Sequence, residues 1–275
     1  MEEVLKASER LLRPEGLKFR ALSREESVEL EPALVPIGDQ LIGAIHNCDD
    51  ETGDAHRFCT AIAEMEGQRG VELLYRLTAS GFGTQAGAIS SVITNEGELT
   101  ADQYVVAAGS YSTLLLTPLG IRLPVRPAKG YSVTFERPTE DTLTIPVVDD
   151  DMHAVVVPVG NAIRVAGTAE FTGFDLTLRS ERVSNLVNLA QRILPSAGLD
   201  STTARAWCGL RPLSPDGVPI LGRTRIRNLW VSTGHGPLGW TMAAGSGELL
   251  ADLISGESPK VDPAPYDPNR FGTPW

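Results

Sequence analysis

The sequence predicts two interleaved domains, one α/β and the other built mainly on an antiparallel β-sheet. Residues 103–109 form a nearly continuous apolar run that ends in glycine, which is typical of a central parallel strand. Residues 229–231 begin a second unit, a short strand followed by a glycine turn and a long helical pattern. Between these regions lie alternating or β-branched runs separated by turns, at residues 131–135, 154–159 and 162–166. The predicted fold class is therefore α/β plus α+β.

The changes in composition along the chain give the domain boundaries. Pro118 and Pro124 break the chain after the first apolar strand, and a helical pattern over residues 180–194, closed by Pro195, returns it to α/β character. We predict a mainly β domain from residues 1–50 and 121–204, an α/β domain from residues 51–120 and 205–256, and a C-terminal tail at 257–275.

Length and charge restrict the class of protein. The chain has 275 residues, of which 42% are hydrophobic, so it can bury a substantial core. Its formal net charge of −11 leaves no broad basic field. Nucleic acid and an anionic membrane surface are therefore excluded as main partners.

Cysteine usage and hydropathy predict a soluble cytoplasmic protein. Cys48, Cys59 and Cys208 are scattered without a CxxC pair, which predicts structural thiols in a reducing compartment. No apolar run reaches the roughly 18 residues that a spanning helix needs. The N-terminal segment MEEVLKASER is charged rather than signal-like.

The first fifty residues are interpreted as scaffold. Helical character over residues 1–31 is interrupted at residues 14–16, and Ser23 with Glu26 predicts a capping box at the start of a short helix. The polar cluster HNCDDE at residues 46–51 has the residue types of a metal site, but adjacent positions point in different directions. We predict a solvated loop and no metal.

The next segment is predicted to be a helix and a strand. Asp54 is expected to cap a helix over residues 55–70, and residues 71–75 are read as a strand. One face of this helix carries Phe58, Ile62 and Met65.

The run GFGTQAG at residues 81–87 superficially resembles a dinucleotide-binding fingerprint. Such a fingerprint must open a helix, whereas the residues that follow alternate as in a strand and turn at residues 95–97. We therefore predict no phosphate-binding role for this run.

Arg211 is a candidate ligand for a carboxylate. It stands between Gly209-Leu210 and the rigid Pro212, which limits its freedom, and its planar guanidinium suits bidentate binding. The local sequence leaves two alternatives open, a substrate clamp and a structural ion pair. Asp216, in the turn SPDG at residues 214–217, is assigned to turn chemistry.

The rest of the chain is organised around residues 228–256. A helix that starts directly from the turn at residues 234–236 presents unpaired backbone N–H groups and the positive end of its dipole. Such an end suits an anionic or carbonyl-rich ring edge. Gly239, Ala243 and Gly247 recur every four residues, so one face is nearly bare. That face can pack tightly on another backbone or lie against a flat cofactor.

Two motifs, GLRPLSPDG at residues 209–217 and TGHGPLGWT at residues 233–241, together resemble the FAD-dependent D-amino-acid oxidoreductases. Within that family the chain is most similar to the bacterial D-amino acid dehydrogenase small subunits. Shorter supporting stretches lie at residues 50–54, 105–112, 129–132 and 169–175. The resemblance covers essentially the whole chain in the right order.

The resemblance implies that FAD is the cofactor and that its pyrimidine edge lies near the helix start. The implied cofactor-binding residues are Gly109, Gly234, His235, Gly236, Leu238, Gly239, Trp240 and Thr241. Arg211 is implied to hold the amino-acid carboxylate. Tyr131 and His235 are the other candidate catalytic residues, with His235 expected to act more through its backbone than as an acid or base. Tyr131 and Trp240 either line the pocket or are ordinary core aromatics.

The implied reaction oxidises a D-amino acid to an imino acid, which water converts to a 2-oxo acid and ammonia. The implied electron acceptor is a quinone or another respiratory carrier, which leaves peripheral association with the inner membrane open. Two alternatives stand beside this function. One is a non-catalytic amino-acid-binding remnant without flavin, and the other is a glycine or sarcosine oxidase-like enzyme, which the run GPLGWT at residues 236–241 disfavours by analogy.

Family members begin with a strand, a GxGxxG turn and a helix that bind the ADP half of FAD, and no such unit precedes Glu2. We therefore expect an incomplete FAD-binding Rossmann-like domain, arising by truncation or completed by a partner chain. Catalysis by these residues alone is in doubt on this expectation.

Overall fold

A computed structural model of the chain describes residue 6 and residues 9–10, 13–14, 16–136 and 142–272. It divides into two compact units. Unit 1 lies within residues 1–61, 130–169 and 177–208, and unit 2 lies within residues 62–129, 170–176 and 209–275. The predicted division had assigned residues 170–176 to the mainly β domain and had set the tail apart. In the compact units residues 170–176 group with unit 2, where Glu170 and Asp175 pair with Lys129, and the domain boundaries given above stay a prediction.

The described residues form thirteen strands: β1 (Phe19–Leu22), β2 (Ala44–Asn47), β3 (Ala79–Gln85), β4 (Ala88–Thr94), β5 (Gly97–Leu99), β6 (Tyr104–Val106), β7 (Arg126–Glu136), β8 (Val147–Asp149), β9 (Ala154–Val159), β10 (Ala162–Glu170), β11 (Arg205–Leu213), β12 (Ile220–Arg223) and β13 (Leu229–Thr233).

The α-helices used below are α1 (Arg24–Leu30), α2 (Ala55–Gln68), α3 (Ser112–Leu116), α4 (Ser180–Ile193) and α5 (Gly239–Ser255). Shorter 3₁₀ turns lie at Pro32–Gln40, Gly109–Tyr111, Thr117–Leu119, Gly236–Leu238 and Ala264–Tyr266. Within the ranges given above, none of the helices is long and apolar enough to cross a bilayer.

Unit 1 holds most of a five-stranded sheet with the order β11-β7-β10-β9-β8. Strands β8, β9 and β10 pair antiparallel, which confirms the predicted antiparallel sheet. Helix α4 packs on the same core because its apolar residues recur at helical spacing. The buried cluster includes Val133, Phe135, Val156, Ile163, Leu186, Leu189 and Ile193.

Unit 1 also contains a two-stranded pair, β1 with β2, and helix α1 between them. The predicted capping box is present at the start of α1. The Ser23 hydroxyl accepts from the Glu26 N–H at 3.1 Å, and the Glu26 carboxylate accepts from the Ser23 N–H at 2.7 Å. These bonds satisfy backbone groups that the first turn of a helix leaves unpaired.

Unit 2 contains a mixed sheet with the order β12-β13-β6. Strands β12 and β13 are antiparallel, whereas β13 and β6 are parallel. The antiparallel sheet β3-β4-β5 is the second sheet of this unit. The apolar core of unit 2 includes Val106, Leu116, Val125, Ile220, Leu229 and Val231.

The run at residues 81–87 lies in the hairpin of β3 and β4, with Ala86 and Gly87 in the left-handed region at φ 49° and 75°. It opens no helix, as the alternation of the following residues had indicated. The strand predicted at residues 71–75 is wrong: the chain there is irregular, and Tyr75 is 74% exposed. Its apolar residues indicated a strand, but no neighbouring strand covers them.

The helix predicted after Asp54 is confirmed as α2. The Asp54 carboxylate accepts from the backbone N–H groups of His56 and Arg57 at 3.0 and 3.2 Å. These two bonds lower the pKa of the Asp54 carboxyl below its ordinary value, with the bond from Arg57 as the larger cause. The apolar face predicted for this helix is exposed, at Phe58, Ile62 and Met65.

Candidate functional site

The carboxyl ends of two parallel strands lie side by side in unit 2. Val231 of β13 pairs with Val106 of β6, so both strands end at the same edge of the sheet. Beyond that edge the Thr233 hydroxyl donates to the Gly109 carbonyl at 2.8 Å, which joins the two following turns. Gly109 has φ 53°, a conformation that favours glycine. Crevices at the carboxyl ends of parallel strands are where α/β sheets bind ligands.

The end of β11 reaches the same edge through two contacts. The Ser110 hydroxyl donates to the Leu210 carbonyl at 3.4 Å, and Leu213 forms an isolated antiparallel bridge with His235. Arg211 lies between these two contact points. Unit 2 therefore brings together the Gly109 turn, the strand carrying Arg211 and the Gly234–Gly236 turn, three segments that are far apart in sequence.

The surroundings of Arg211 fit a cation held near the glycine turn. Alternate residues of a strand share a face, so Arg211 and Leu213 point to the same side, about 7 Å apart along the strand. A Leu213 methyl carbon lies 3.4 Å from the position that a Cβ on Gly236 would occupy. Arg211 is half-buried, and burial lowers the pKa of its guanidinium, which stays protonated at neutral pH.

Glycine is required in the turn for reasons of conformation and space. Gly234 and Gly236 have φ 78° and 55°. A Cβ on Gly234 would lie 3.3 Å from an Ile220 side-chain carbon and 3.4 Å from the Ser214 Cβ. The close packing at Gly234 is thus with the protein itself, and the turn is held rigidly against β12 and the end of β11.

The start of α5 is open. One 3₁₀ turn, Gly236–Leu238, precedes the helix, and no side chain caps its first N–H groups. Trp240 and Thr241 are exposed, and Leu238 is 53% exposed. The candidate cofactor-binding residues at this end of α5 are therefore accessible, and the helix presents its uncapped backbone donors beside them.

His235 is held by a hydrogen bond to the helix that follows it. Its ring Nε2 lies 3.0 Å from the Ser246 hydroxyl. Burial lowers the pKa of His235 below its ordinary value, which favours the neutral imidazole at pH 7. The ring links the turn to α5 and so helps to fix the direction in which the helix starts.

Tyr131 lies in unit 1 and is 1% exposed within the apolar cluster of that unit. Its hydroxyl donates to the Thr177 carbonyl at 3.4 Å. Of the two alternatives for this residue, the burial favours a core aromatic over a side chain that lines a pocket.

Three hydroxyl groups of unit 2 were not found from the sequence. The side-chain oxygens of Ser112, Thr172 and Ser214 are buried and lack a hydrogen-bond partner among the described residues. An unsatisfied buried hydroxyl costs about 1–3 kcal/mol. Ser112 follows the Gly109 turn, and the Ser214 Cβ borders Gly234. Serine and threonine are common in turns, so nothing in the sequence distinguishes these three.

No group of three or more metal-binding side chains occurs in the part of the chain that the structure describes. The His46–Glu51 segment includes a contact of 3.9 Å between the Cys48 sulfur and the His46 ring. The site therefore consists of backbone donors, an arginine and hydroxyl groups.

A family model described as FAD dependent oxidoreductase matches residues 1–253. The D-amino acid dehydrogenase of Xanthobacter autotrophicus is 44% identical over 258 residues, which are 93% of this chain and 61% of the relative. That of Vibrio vulnificus is 41% identical over 264 residues, 96% of this chain and 63% of the relative. The chain thus spans about three-fifths of the length of these curated relatives.

Solved structures give a similar result. Glycine oxidase from Geobacillus kaustophilus has 26% identity and a TM-score of 0.85, with 98% of this chain and 71% of that chain covered. L-proline dehydrogenase from P. horikoshii has 26% identity and a TM-score of 0.84, with 98% and 74% covered. The folds correspond over nearly the whole of the 275 residues.

Proposed function

Since the chain belongs to the family of FAD dependent oxidoreductases, we propose that it supplies the substrate clamp and the flavin-contacting turn of a D-amino acid dehydrogenase. The observation that carries this proposal is the convergence of Arg211, the Gly109 turn and the Gly234–Gly236 turn at one edge of the sheet in unit 2. The curated relatives with 41–44% identity carry the name of that activity. In this proposal unit 2 contacts the flavin, and unit 1 belongs to the substrate domain.

The residues at this edge fit a flavin. Uncapped backbone N–H groups at the start of α5 suit the carbonyl-rich edge of an isoalloxazine. The buried hydroxyls of Ser112 and Ser214, which have no hydrogen-bond partner among the described residues, lie close to the two turns. The residues that would hold the cofactor are Gly109, Gly234, His235, Gly236, Leu238, Gly239, Trp240 and Thr241.

Arg211 would hold the substrate by its carboxylate. A guanidinium binds a carboxylate through two parallel hydrogen bonds, which fixes the orientation of the bound acid as well as its position. Partial burial of Arg211 strengthens such a pair, because less water competes for the charge. Amino acids of D configuration are the proposed substrates.

The chemistry requires positioning more than acid or base catalysis. When bound, FAD would supply the acceptor for a hydride from the substrate Cα, and the substrate amino group would release one proton to solvent to give the imino acid. Arg211 orients the substrate for that transfer, and the turn at Gly234–Gly236 positions the edge of the flavin ring. The resulting imino acid is hydrolysed by water to a 2-oxo acid and ammonia. The His235 imidazole is hydrogen-bonded to Ser246, so we assign it to the shape of the turn.

We propose that the electrons removed from the substrate pass to an acceptor other than oxygen, because the relatives are named dehydrogenases. A quinone is the proposed acceptor, and its use would bring the protein to the surface of the inner membrane. Turnover with a quinone dye but not with oxygen is the expected result. Turnover with oxygen alone would favour the glycine oxidase-like alternative, for which the likeness to the Geobacillus kaustophilus structure is the supporting observation.

Flavin binding is tested on the purified chain. We expect a flavin absorbance band that bleaches on addition of D-alanine. A colourless preparation that still binds D-alanine would contradict the proposed enzyme and favour the alternative, an amino-acid-binding module without flavin. Addition of FAD to the colourless protein, followed by gel filtration, distinguishes loss of the cofactor from inability to bind it.

Substitution of the clamp is the sharpest test. In Arg211→Lys a point charge replaces the two-pronged donor, so affinity for D-alanine should fall at least about tenfold. Calorimetric titration measures this change, and the melting temperature should stay near that of the wild type. Arg227→Lys, an exposed arginine of the same unit, is the matched control and should bind normally. Unchanged affinity with a lowered melting temperature would show that Arg211 forms a structural ion pair instead.

A further inference from the structure

Lys129 in unit 2 is buried completely, at 0% side-chain exposure. Its ammonium lies 3.4 Å from a carboxylate oxygen of Glu170 and 3.4 Å from one of Asp175. A buried ammonium is costly unless it is paired, so these two carboxylates are required where they are. They lie near the two ends of the segment 170–176, and the lysine therefore fastens that segment at both ends.

The segment between the two anchors exposes aromatic residues. Phe171 is 74% exposed and Phe174 is 36% exposed. Gly173, between them, has φ 62°, which makes the segment turn sharply. The Thr172 hydroxyl is buried without a hydrogen-bond partner among the described residues. The segment thus presents two phenylalanines outside the apolar core, while a buried ion pair anchors both of its ends.

Phe174 contacts Tyr111, the last residue of the short 3₁₀ turn that begins at Gly109. Their ring centroids are 5.2 Å apart with an interplanar angle of 37°. Tyr111 itself is 43% exposed and follows Ser110, whose hydroxyl donates to the Leu210 carbonyl. Leu210 directly precedes Arg211. The aromatic pair is thus attached to the edge where Arg211 is proposed to hold the substrate carboxylate.

From this arrangement we propose that Tyr111 and Phe174 form the wall that receives the side chain of the amino acid bound by Arg211. The inference rests on the proposed function and adds a preference to it. Two partly exposed rings in contact offer an apolar surface, so the wall selects large apolar or aromatic side chains over small ones. Lys129 is a positioning residue: it holds Glu170 and Asp175, and through them the segment that presents Phe174.

The test uses the full chain and two carboxylate probes, acetate and phenylacetate, with calorimetric titration of both. Acetate reports on Arg211 alone, whereas phenylacetate adds a ring for the wall. The wild type should prefer phenylacetate. In Phe174→Ala this preference should fall about threefold or more, with acetate binding unchanged, since the substitution removes one of the two rings of the wall.

Phe171→Ala is the matched control, because it removes the same side chain from the same segment without touching the Tyr111–Phe174 pair. Its preference should match the wild type. An unchanged preference in Phe174→Ala, or a wild type without any preference, overturns the wall. If Arg211→Lys leaves acetate and phenylacetate binding unchanged, the clamp is wrong instead, so the two failures are distinguishable.

The role of Lys129 is tested through its partner Asp175, which is more exposed than the lysine and therefore safer to change. Asp175→Asn should lower the melting temperature, because it removes one of the two carboxylate partners of a buried ammonium, and should lower the preference for phenylacetate while acetate binding holds. Asp175→Glu keeps the charge and should restore the preference. Equal loss in Asp175→Asn and Asp175→Glu, or no loss in either, contradicts the positioning role of the ion pair.

Discussion

Helices α4 and α5 are similar in length, but they bury their faces differently. Helix α4, in unit 1, buries Leu186, Leu189, Ala190 and Ile193, and the partly buried Val183 extends this packed face into the first half of the helix. Helix α5, in unit 2, buries only Ser246, Leu249 and Leu250, all in its second half. Its first half, which carries Gly239 and Ala243, is exposed or half-buried.

The difference shows what each repeating pattern means. Large apolar residues at helical spacing mark a face that packs, as in α4. Small residues every four positions mark a face where the backbone is accessible, as at the start of α5. Apart from the neighbouring backbone of α5 itself, no atom of the described residues comes within 4 Å of the position that a Cβ on Gly247 would occupy. At Gly239, by contrast, the Cβ of His235 lies 3.4 Å from the corresponding position, so the stripe of Gly239, Ala243 and Gly247 is open at Gly247 but closely packed at its first residue. The two uses predicted for the stripe, packing on another backbone and contact with a flat cofactor, both stay predictions.

The largest effect is expected from truncating the buried face of α4. Leu186→Ala removes a side chain that is 3% exposed in the core of unit 1, so stability should fall by about 2–5 kcal/mol. Leu238→Ala, just before α5, is the matched control, since the same change at an exposed leucine should cost less than about 1 kcal/mol. Urea denaturation measures both. Equal losses would mean that the two helix environments are alike.

A smaller effect is expected at the bond between the glycine turn and α5. Burial lowers the pKa of His235 in the folded chain, so below the ordinary value near 6.5 the unfolded chain binds more protons. His235 therefore adds stability above that pH, and this contribution is lost as the pH falls toward the folded pKa. In His235→Gln the stability should fall less than in the wild type between pH 7.5 and about 5.

Denaturation curves across that pH range measure the effect, with His56→Gln as the control. His56 is exposed on α2, so its removal should leave the pH profile of the wild type in place. If the profile of His235→Gln coincides with that of the wild type, the imidazole is not desolvated by the turn and α5.

Much of the fold was accessible from the sequence because its signals are local. The capping box at Ser23, the helix pattern of α4 and the apolar runs of β6 and β13 all depend on neighbouring residues. The strand predicted at residues 71–75 failed for the opposite reason. Its apolar residues needed a partner strand, and pairing between distant segments cannot be read from a run of five residues.

The site was predicted in part. Arg211 and the Gly234–Gly236 turn stood out through their local chemistry, and a family resemblance supplied their roles. Their proximity to the Gly109 turn depends on the order of the strands in the sheet, which cannot be predicted from the local sequence. Lys129 gave no sign of burial, since a lysine is usually exposed. The contact of Tyr111 with Phe174 joins distant segments and carried no signal at all.

The smallest effect concerns the open stripe itself. Gly247→Ala should raise the stability of the chain by about 0.5–1 kcal/mol, because alanine loses less backbone entropy in a helix than glycine. Gly245→Ala makes the same change off the stripe, where the described residues again leave the space for a Cβ empty, and it should give the same gain. Thermal denaturation of both variants measures the difference. A loss of stability in Gly247→Ala beside a gain in Gly245→Ala would mean that another part of the protein packs on the stripe. Helices α4 and α5 would then both have a packed face and would differ only in what packs on it.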